Sequence, residues 1–183
     1  MMPAILRSLP PLLAAILALC GATASWAETP YRPPPNLVEI SPSLSTSGQP
    51  SAESLARLKE QGFEAVIYLA PATVHDAVRD EALIVSRQGL VFVNIPIDFE
   101  KPTERDFETF AALVKALSPR KVLVHCQVNL RASSMVFLYR TIVAKEEPHR
   151  AYEAVAQIWS PLGPWKHLIQ EQLRKHRIEF EPF

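Results

Sequence analysis

Cys126 follows the apolar run Lys121–His125 (KVLVH) and precedes the largely apolar stretch Ala132–Ala144, with Arg131 five residues after the thiol. The first run reads as a short buried strand and the second as a buried helix. The thiol is therefore expected at a helix N-terminus, whose partial positive charge favours a thiolate and attracts anions. A planar guanidinium at the same mouth can hold two oxygens of a phosphate or sulfate. Backbone N–H groups of Gln127, Val128, Asn129, Leu130, Arg131 and Ala132, curled around one point, would complete an anion nest. One short turn thus joins a nucleophile, a cationic clamp and a row of amide donors. A cation is unfavourable at a helix N-terminus, so Arg131 itself argues for a bound anion that offsets it.

Other routes to the same chemistry are closed. The five glycines (21, 48, 62, 89 and 163) cannot form G-x-G-x-x-G or G-x-x-x-x-G-K-[ST] phosphate loops. Two cysteines, and five histidines without H-E-x-x-H or H-x-H spacing, supply no metal site. No metal or cofactor is expected. The 19 basic and 19 acidic residues balance, which removes the electrostatic footprint of a nucleic-acid binder.

The N-terminal segment reads as an export signal. Arg7 supplies a positive charge, Leu9–Ala24 carries none, and Ser25-Trp26-Ala27 offers small residues for cleavage before Glu28. The apolar stretch is short of the roughly 20 residues of a membrane helix and holds Pro10 and Pro11, so no stable membrane insertion is expected after cleavage. Residues 1–27 are thus read as a signal peptide, 28–36 (ETPYRPPPN) as a proline-rich, extended, mobile arm, and 37–183 as one domain. Removal of the signal also removes Cys20. It leaves Cys126 as the single thiol of an exported chain, with the periplasm as the expected compartment and secretion as the alternative.

The elements that must position these residues alternate in type. Strands are expected at 37–40, 65–70, 90–95 and 121–125, and helices at about 51–61, 76–88, 103–117, 132–144, 148–159 and 164–176. Residues 41–51 read as a Ser/Pro-rich connection, and Pro96–Pro102 (PIDFEKP) as a loop bracketed by prolines. Strands apolar throughout, alternating with helices, indicate an α/β domain whose sheet is covered on both faces. In such sheets ligands sit beyond the carboxyl ends of the strands, where Cys126 falls.

The spacing H-C-x4-R resembles the signature loop of the cysteine-based protein tyrosine phosphatase superfamily, usually H-C-x5-R-[ST], shortened by one residue. With the upstream Ser47-Gly48-Gln49-Pro50 it resembles the small bacterial branch labelled beta-lactamase-hydrolase-like, over residues 37–160 or so. The resemblance implies a single α/β domain with a central, mostly parallel sheet of four to five strands flanked by helices. It implies Cys126 as phosphoryl acceptor and Arg131 as phosphate binder, with hydrolysis of phosphate monoesters through a phosphocysteine. It also implies a general acid from a loop about 30 residues upstream. Asp98, 28 residues before Cys126, fits that place, with Glu100, Glu104 and Asp106 as competitors.

Two positions depart from the usual pattern. Asn129 stands where many relatives have glycine, and Asn tolerates a left-handed backbone better than most residues. Ala132 directly follows Arg131, so the hydroxyl that assists the departing thiolate falls to Ser133, with Ser134 next to it. His125 is expected to support the loop by hydrogen bonding, and Trp159 and Trp165 to pack between helices. The expected substrate is a phosphorylated small molecule, sugar, lipid or protein. Two alternatives stay open on the same loop: a rhodanese-like sulfurtransferase, and an inactive phosphate- or partner-binding module.

Overall fold

A computed structural model describes residues 31–183, so the signal-peptide segment lies outside the described residues. Twelve elements follow in chain order: β1 (Val38–Ser41), β2 (Leu44–Ser47), α1 (Ala52–Leu55), β3 (Ala65–Tyr68), α2 (Glu81–Ser86), β4 (Val91–Asn94), α3 (Glu104–Leu117), β5 (Val122–His125), α4 (Leu130–Leu138), a π-helical turn (Tyr139–Val143), α5 (Pro148–Ala156) and α6 (Gly163–Lys175). The five strands form one sheet in the order β1-β2-β5-β3-β4. β2, β5, β3 and β4 are mutually parallel, and only β1 runs antiparallel, as a hairpin partner of β2. This is the mostly parallel α/β architecture expected from the sequence.

Parallel pairing puts the carboxyl ends of four strands along one edge of the sheet. Ser47, His125, Tyr68 and Asn94 stand in register there as a polar row that closes the four parallel strands. Alternation along each strand serves two cores. Val66 and Leu123 pack with Leu55, Leu58, Phe63 and Val85 on the face of α1 and α2. Ile67 and Val124 face the larger cluster with Phe107, Phe110, Met135, Phe137 and Trp165. Burial on both faces is why these strands read as unbroken apolar runs rather than alternating ones.

Four sequence expectations change here. The Ser/Pro-rich connection contains β2, whose four small residues are all buried between β1 and β5. Small polar side chains hid it, because the ladder rather than side-chain apolarity holds the strand. The helix expected from Ser51 is only α1, capped by the Ser51 hydroxyl, which accepts from Ser54 N–H at 3.2 Å. The helix expected over 76–88 begins only at Glu81, so 71–80 is a loop overhanging the sheet edge. Finally, α4 starts two residues earlier than expected and gives way to the π-helical turn at Tyr139.

Residues 31–36 of the arm are held against the domain rather than standing off as a mobile extension. The Gly48 N–H donates to Pro35 O at 2.7 Å, the Ser54 hydroxyl to Arg32 O at 2.7 Å, and Asn36 Nδ2 to Val128 O at 3.1 Å. The proline string has no hydrogen bonds of its own to form, which leaves its carbonyls free for these donors.

Candidate active site

The turn between β5 and α4 is built by three backbone devices. Asn129 adopts the left-handed conformation (φ 73°, ψ 3°) that the turn requires. Its buried side chain offsets that strain by donating to Asn36 O at 2.7 Å and to the Thr46 hydroxyl at 3.1 Å. Gly48 lets the β2 exit run alongside: Gln49 N–H donates to Gln127 O at 2.9 Å, and Gly48 bridges Val128. A Cβ on Gly48 would lie 2.8 Å from Gln127 O. The Ser-Gly-Gln-Pro segment thus forms one wall of the turn, and glycine is required there by close backbone approach.

Cys126 is fully buried at the exit of β5, and its N–H donates to Ser47 O at 3.2 Å. No backbone acceptor outside the regular elements takes the N–H of Gln127 or Val128. The first turn of α4, like that of any helix, leaves further donors beside them. Arg131 is 6% exposed. Its Nε donates to Ile97 O at 3.1 Å, its Nη1 to Gln127 Oε1 at 3.3 Å, and its guanidinium carbon lies 5.0 Å from the centre of the Phe99 ring. Thiol, guanidinium and amide donors therefore belong to one turn.

Asp98 sits between the two residues that touch Arg131, Ile97 and Phe99. Its carboxylate is exposed and accepts from Glu100 N–H at 3.0 Å, within its own loop. The loop is thus fixed to Arg131 on both sides of Asp98, while the carboxylate itself is not bonded to the Cys126 turn. Of its competitors, Asp106 closes the capping box with Thr103 at the start of α3, and Glu104 pairs with Lys175. Trp165 is buried and donates Nε1–H to Phe99 O at 2.9 Å; Trp159 packs on the same ring at 6.1 Å between centroids. Both tryptophans serve packing, and what they pack is the Asp98 loop.

His125 stacks on Tyr68 at 4.7 Å with the rings 15° from parallel. Its Nε2 lies 2.6 Å from Glu81 Oε1, without hydrogen-bond alignment. The other oxygen of this buried carboxylate accepts from Gln49 Nε2 at 2.9 Å. The support expected from His125 thus comes through stacking on Tyr68 and close contact with Glu81 rather than through a hydrogen bond to the turn. Burial, then the negative charges of Glu81, Asp76 and Cys126, push the Tyr68 phenol well above its ordinary 10.0, so it remains an O–H donor, directed at Pro71 O. The Ser133 hydroxyl donates to Leu130 O at 3.2 Å, whereas the buried Ser134 hydroxyl has no partner.

Sequence reasoning missed Asp76. Its Oδ1 accepts from Gln127 Nε2 at 2.9 Å, which brings a carboxylate from the β3–α2 loop onto the Cys126 turn. The expected 76–88 helix had absorbed this residue, and no local motif marks it. A groove of about 700 Å3 lies at the other end of the sheet between Leu44, Val122, Arg140 and Glu153, and none of these groups line it.

Comparison with known proteins agrees with this geometry. The chain is 29% identical over 112 residues to the beta-lactamase hydrolase-like protein of Xylella fastidiosa, a match covering 58% of this chain and 25% of the relative. The chain thus spans about a quarter of the length of that relative. A DUF442 candidate phosphatase from Shewanella putrefaciens CN-32 is 30% identical, with a TM-score of 0.70, over 78% of this chain and 93% of the other. The fold is also that of P. aeruginosa TpbA in complex with pTyr, at 21% identity and a TM-score of 0.54, over 65% of this chain and 70% of that one. Residues 38–163 match the family model for the DSP-PTPase phosphatase fused to NAD+ kinase, and the chain belongs to that family of cysteine-phosphatase-like domains.

Proposed function

We propose that this protein is an exported, cysteine-dependent phosphatase that hydrolyses phosphate monoesters through a phosphocysteine. One observation carries the reading: Cys126 begins the turn that leads from β5 into α4, where the N–H groups of Gln127 and Val128 lie open, and Arg131 at the end of that turn is bonded to the loop that bears Asp98. The Cys126 thiolate attacks phosphorus as the bond to the leaving oxygen breaks, and Asp98 gives that oxygen its proton. The amides and Arg131 hold the equatorial oxygens. Water then attacks the phosphocysteine, its proton passes to Asp98, and the S–P bond breaks to return the thiolate. The pTyr bound by TpbA supports a phosphate ester as substrate, whether on a small molecule, sugar, lipid or protein. Export rests on the N-terminal pattern and is tested by fractionating cells that express the full chain.

The chemical test uses 4-nitrophenyl phosphate, an alkyl phosphate, and thiosulfate with cyanide. Cys126→Ser is expected to abolish phosphate release. Asp98→Asn is expected to lower kcat by about 10²–10⁴ on the alkyl ester and far less on the good nitrophenolate leaving group. Thiocyanate formation without phosphate release would assign sulfur transfer instead, and silence in both assays a binding module.

A further inference from the structure

We propose that Asp76 positions Arg131 through the side-chain amide of Gln127, a role that rests on the phosphatase reading above. Gln127 stands between the two charges. Its Nε2 donates to Asp76 Oδ1 at 2.9 Å, and its Oε1 accepts from Arg131 Nη1 at 3.3 Å. The partners fix the amide in one orientation. A flip would turn its NH2 toward the guanidinium and its carbonyl toward the carboxylate, making both contacts repulsive.

This relay is one of only two hydrogen bonds that orient the guanidinium, the other being Nε to Ile97 O. Among the described residues no carboxylate touches Arg131, and its Nη2 has no protein partner. An Asp or Glu bonded directly to the fork would occupy the donors that a phosphate takes. Asp76 instead offsets the buried charge across one amide and leaves that edge open. Its side chain is 30% exposed, and His75 Nδ1 lies 4.0 Å from its Oδ1. Its partner Gln127 lies 51 residues away, so the carboxylate is held by tertiary structure alone.

Asp76 is assigned here as a positioning residue, and the test separates that from a structural or proton-transfer role. Inorganic phosphate is titrated calorimetrically into the full chain carrying Cys126→Ser, and 4-nitrophenyl phosphate turnover is measured with Cys126 intact. Asp76→Ala is expected to weaken phosphate binding about tenfold and to lower kcat/KM by at least as much. Asp76→Asn keeps an acceptor oxygen for Gln127 and should stay within about threefold of the parent. Gln127→Glu alone sets two carboxylates against each other and should bind as weakly as Asp76→Ala. Unchanged phosphate affinity in Asp76→Ala would overturn the relay even with phosphatase activity intact. So would a fall in kcat alone. A parent chain that neither hydrolyses the ester nor binds phosphate would instead remove the phosphatase reading, and the relay with it.

Discussion

Gly48 carries no chemistry, yet the Cys126 turn depends on its lack of a side chain. Its neighbours on the missing Cβ are backbone atoms of Gln127, Pro35 and Val128, none of which can swing aside. Gly48→Ala must therefore push the turn away from β2. We expect a loss of about 1–3 kcal/mol of stability, or several degrees in Tm, together with weaker phosphate binding. A variant with parental Tm and affinity would contradict the close-approach account. Asn129 solves a related problem in another way, by tolerating a positive φ and spending its side chain on Asn36 and Thr46. These two residues were legible in the sequence as a motif member and as a departure from pattern. Their physical reasons were not, since both lie in contacts to distant segments, Gly48 against Gln127 and Val128, and Asn129 with Asn36 and Thr46.

At the scale of elements, α4 is extended by the π-helical turn, and an ion pair fastens that turn to α5. Arg140 donates through Nε and Nη2 to both oxygens of Glu146, at 2.8 and 2.7 Å, and through Nη1 to Ala151 O at 3.0 Å. Hydrogen bonding to Arg140 holds the Glu146 carboxyl below its ordinary 4.5, with the charges of Arg140 and Arg150 adding to the effect against the cost of burial. A folded-state value below the unfolded one means that this stabilisation is present above pH 4.5 and is lost as pH falls through the folded value. Glu146→Gln should therefore lower Tm at pH 7, by about 1–2 kcal/mol for a partly buried, charge-assisted pair. The gap to the parent should close as the pH is taken below 4.5; thermal melts at a series of pH values would read it. A gap independent of pH would mean that packing rather than charge fastens the turn.

At the scale of the molecule, α6 reaches the site through the Asp98 loop. Trp165 packs in the main core while its indole N–H holds Phe99 O, and Phe99 in turn faces Arg131. Trp165→Phe keeps an aromatic filler and removes that bond. The expected cost is about 1 kcal/mol of stability. Turnover of an alkyl phosphate should fall while inorganic phosphate affinity holds, because the bond secures the loop proposed to supply the acid and not the turn proposed to bind phosphate. Calorimetry and steady-state kinetics on one preparation would show this, and an equal loss in both quantities would mean that the whole edge has shifted.

What the sequence determined by itself was local. The order of strands and helices, the two-sided burial of the sheet, and the clustering of Cys126, Arg131 and their amide donors all follow from residue periodicity and short spacing, which act over a few neighbours. Tertiary structure decided whatever depended on a distant partner. β2 is a strand because β1 and β5 pair with it, not because Leu-Ser-Thr-Ser favours one. Residues 31–36 are fixed because the turn offers them donors and acceptors. Asp76 belongs to the site because α2 starts late and the loop before it falls across the sheet edge. In each case the stabilising partner lies many residues away, and a hydrogen bond between such residues leaves no periodic trace in the chain.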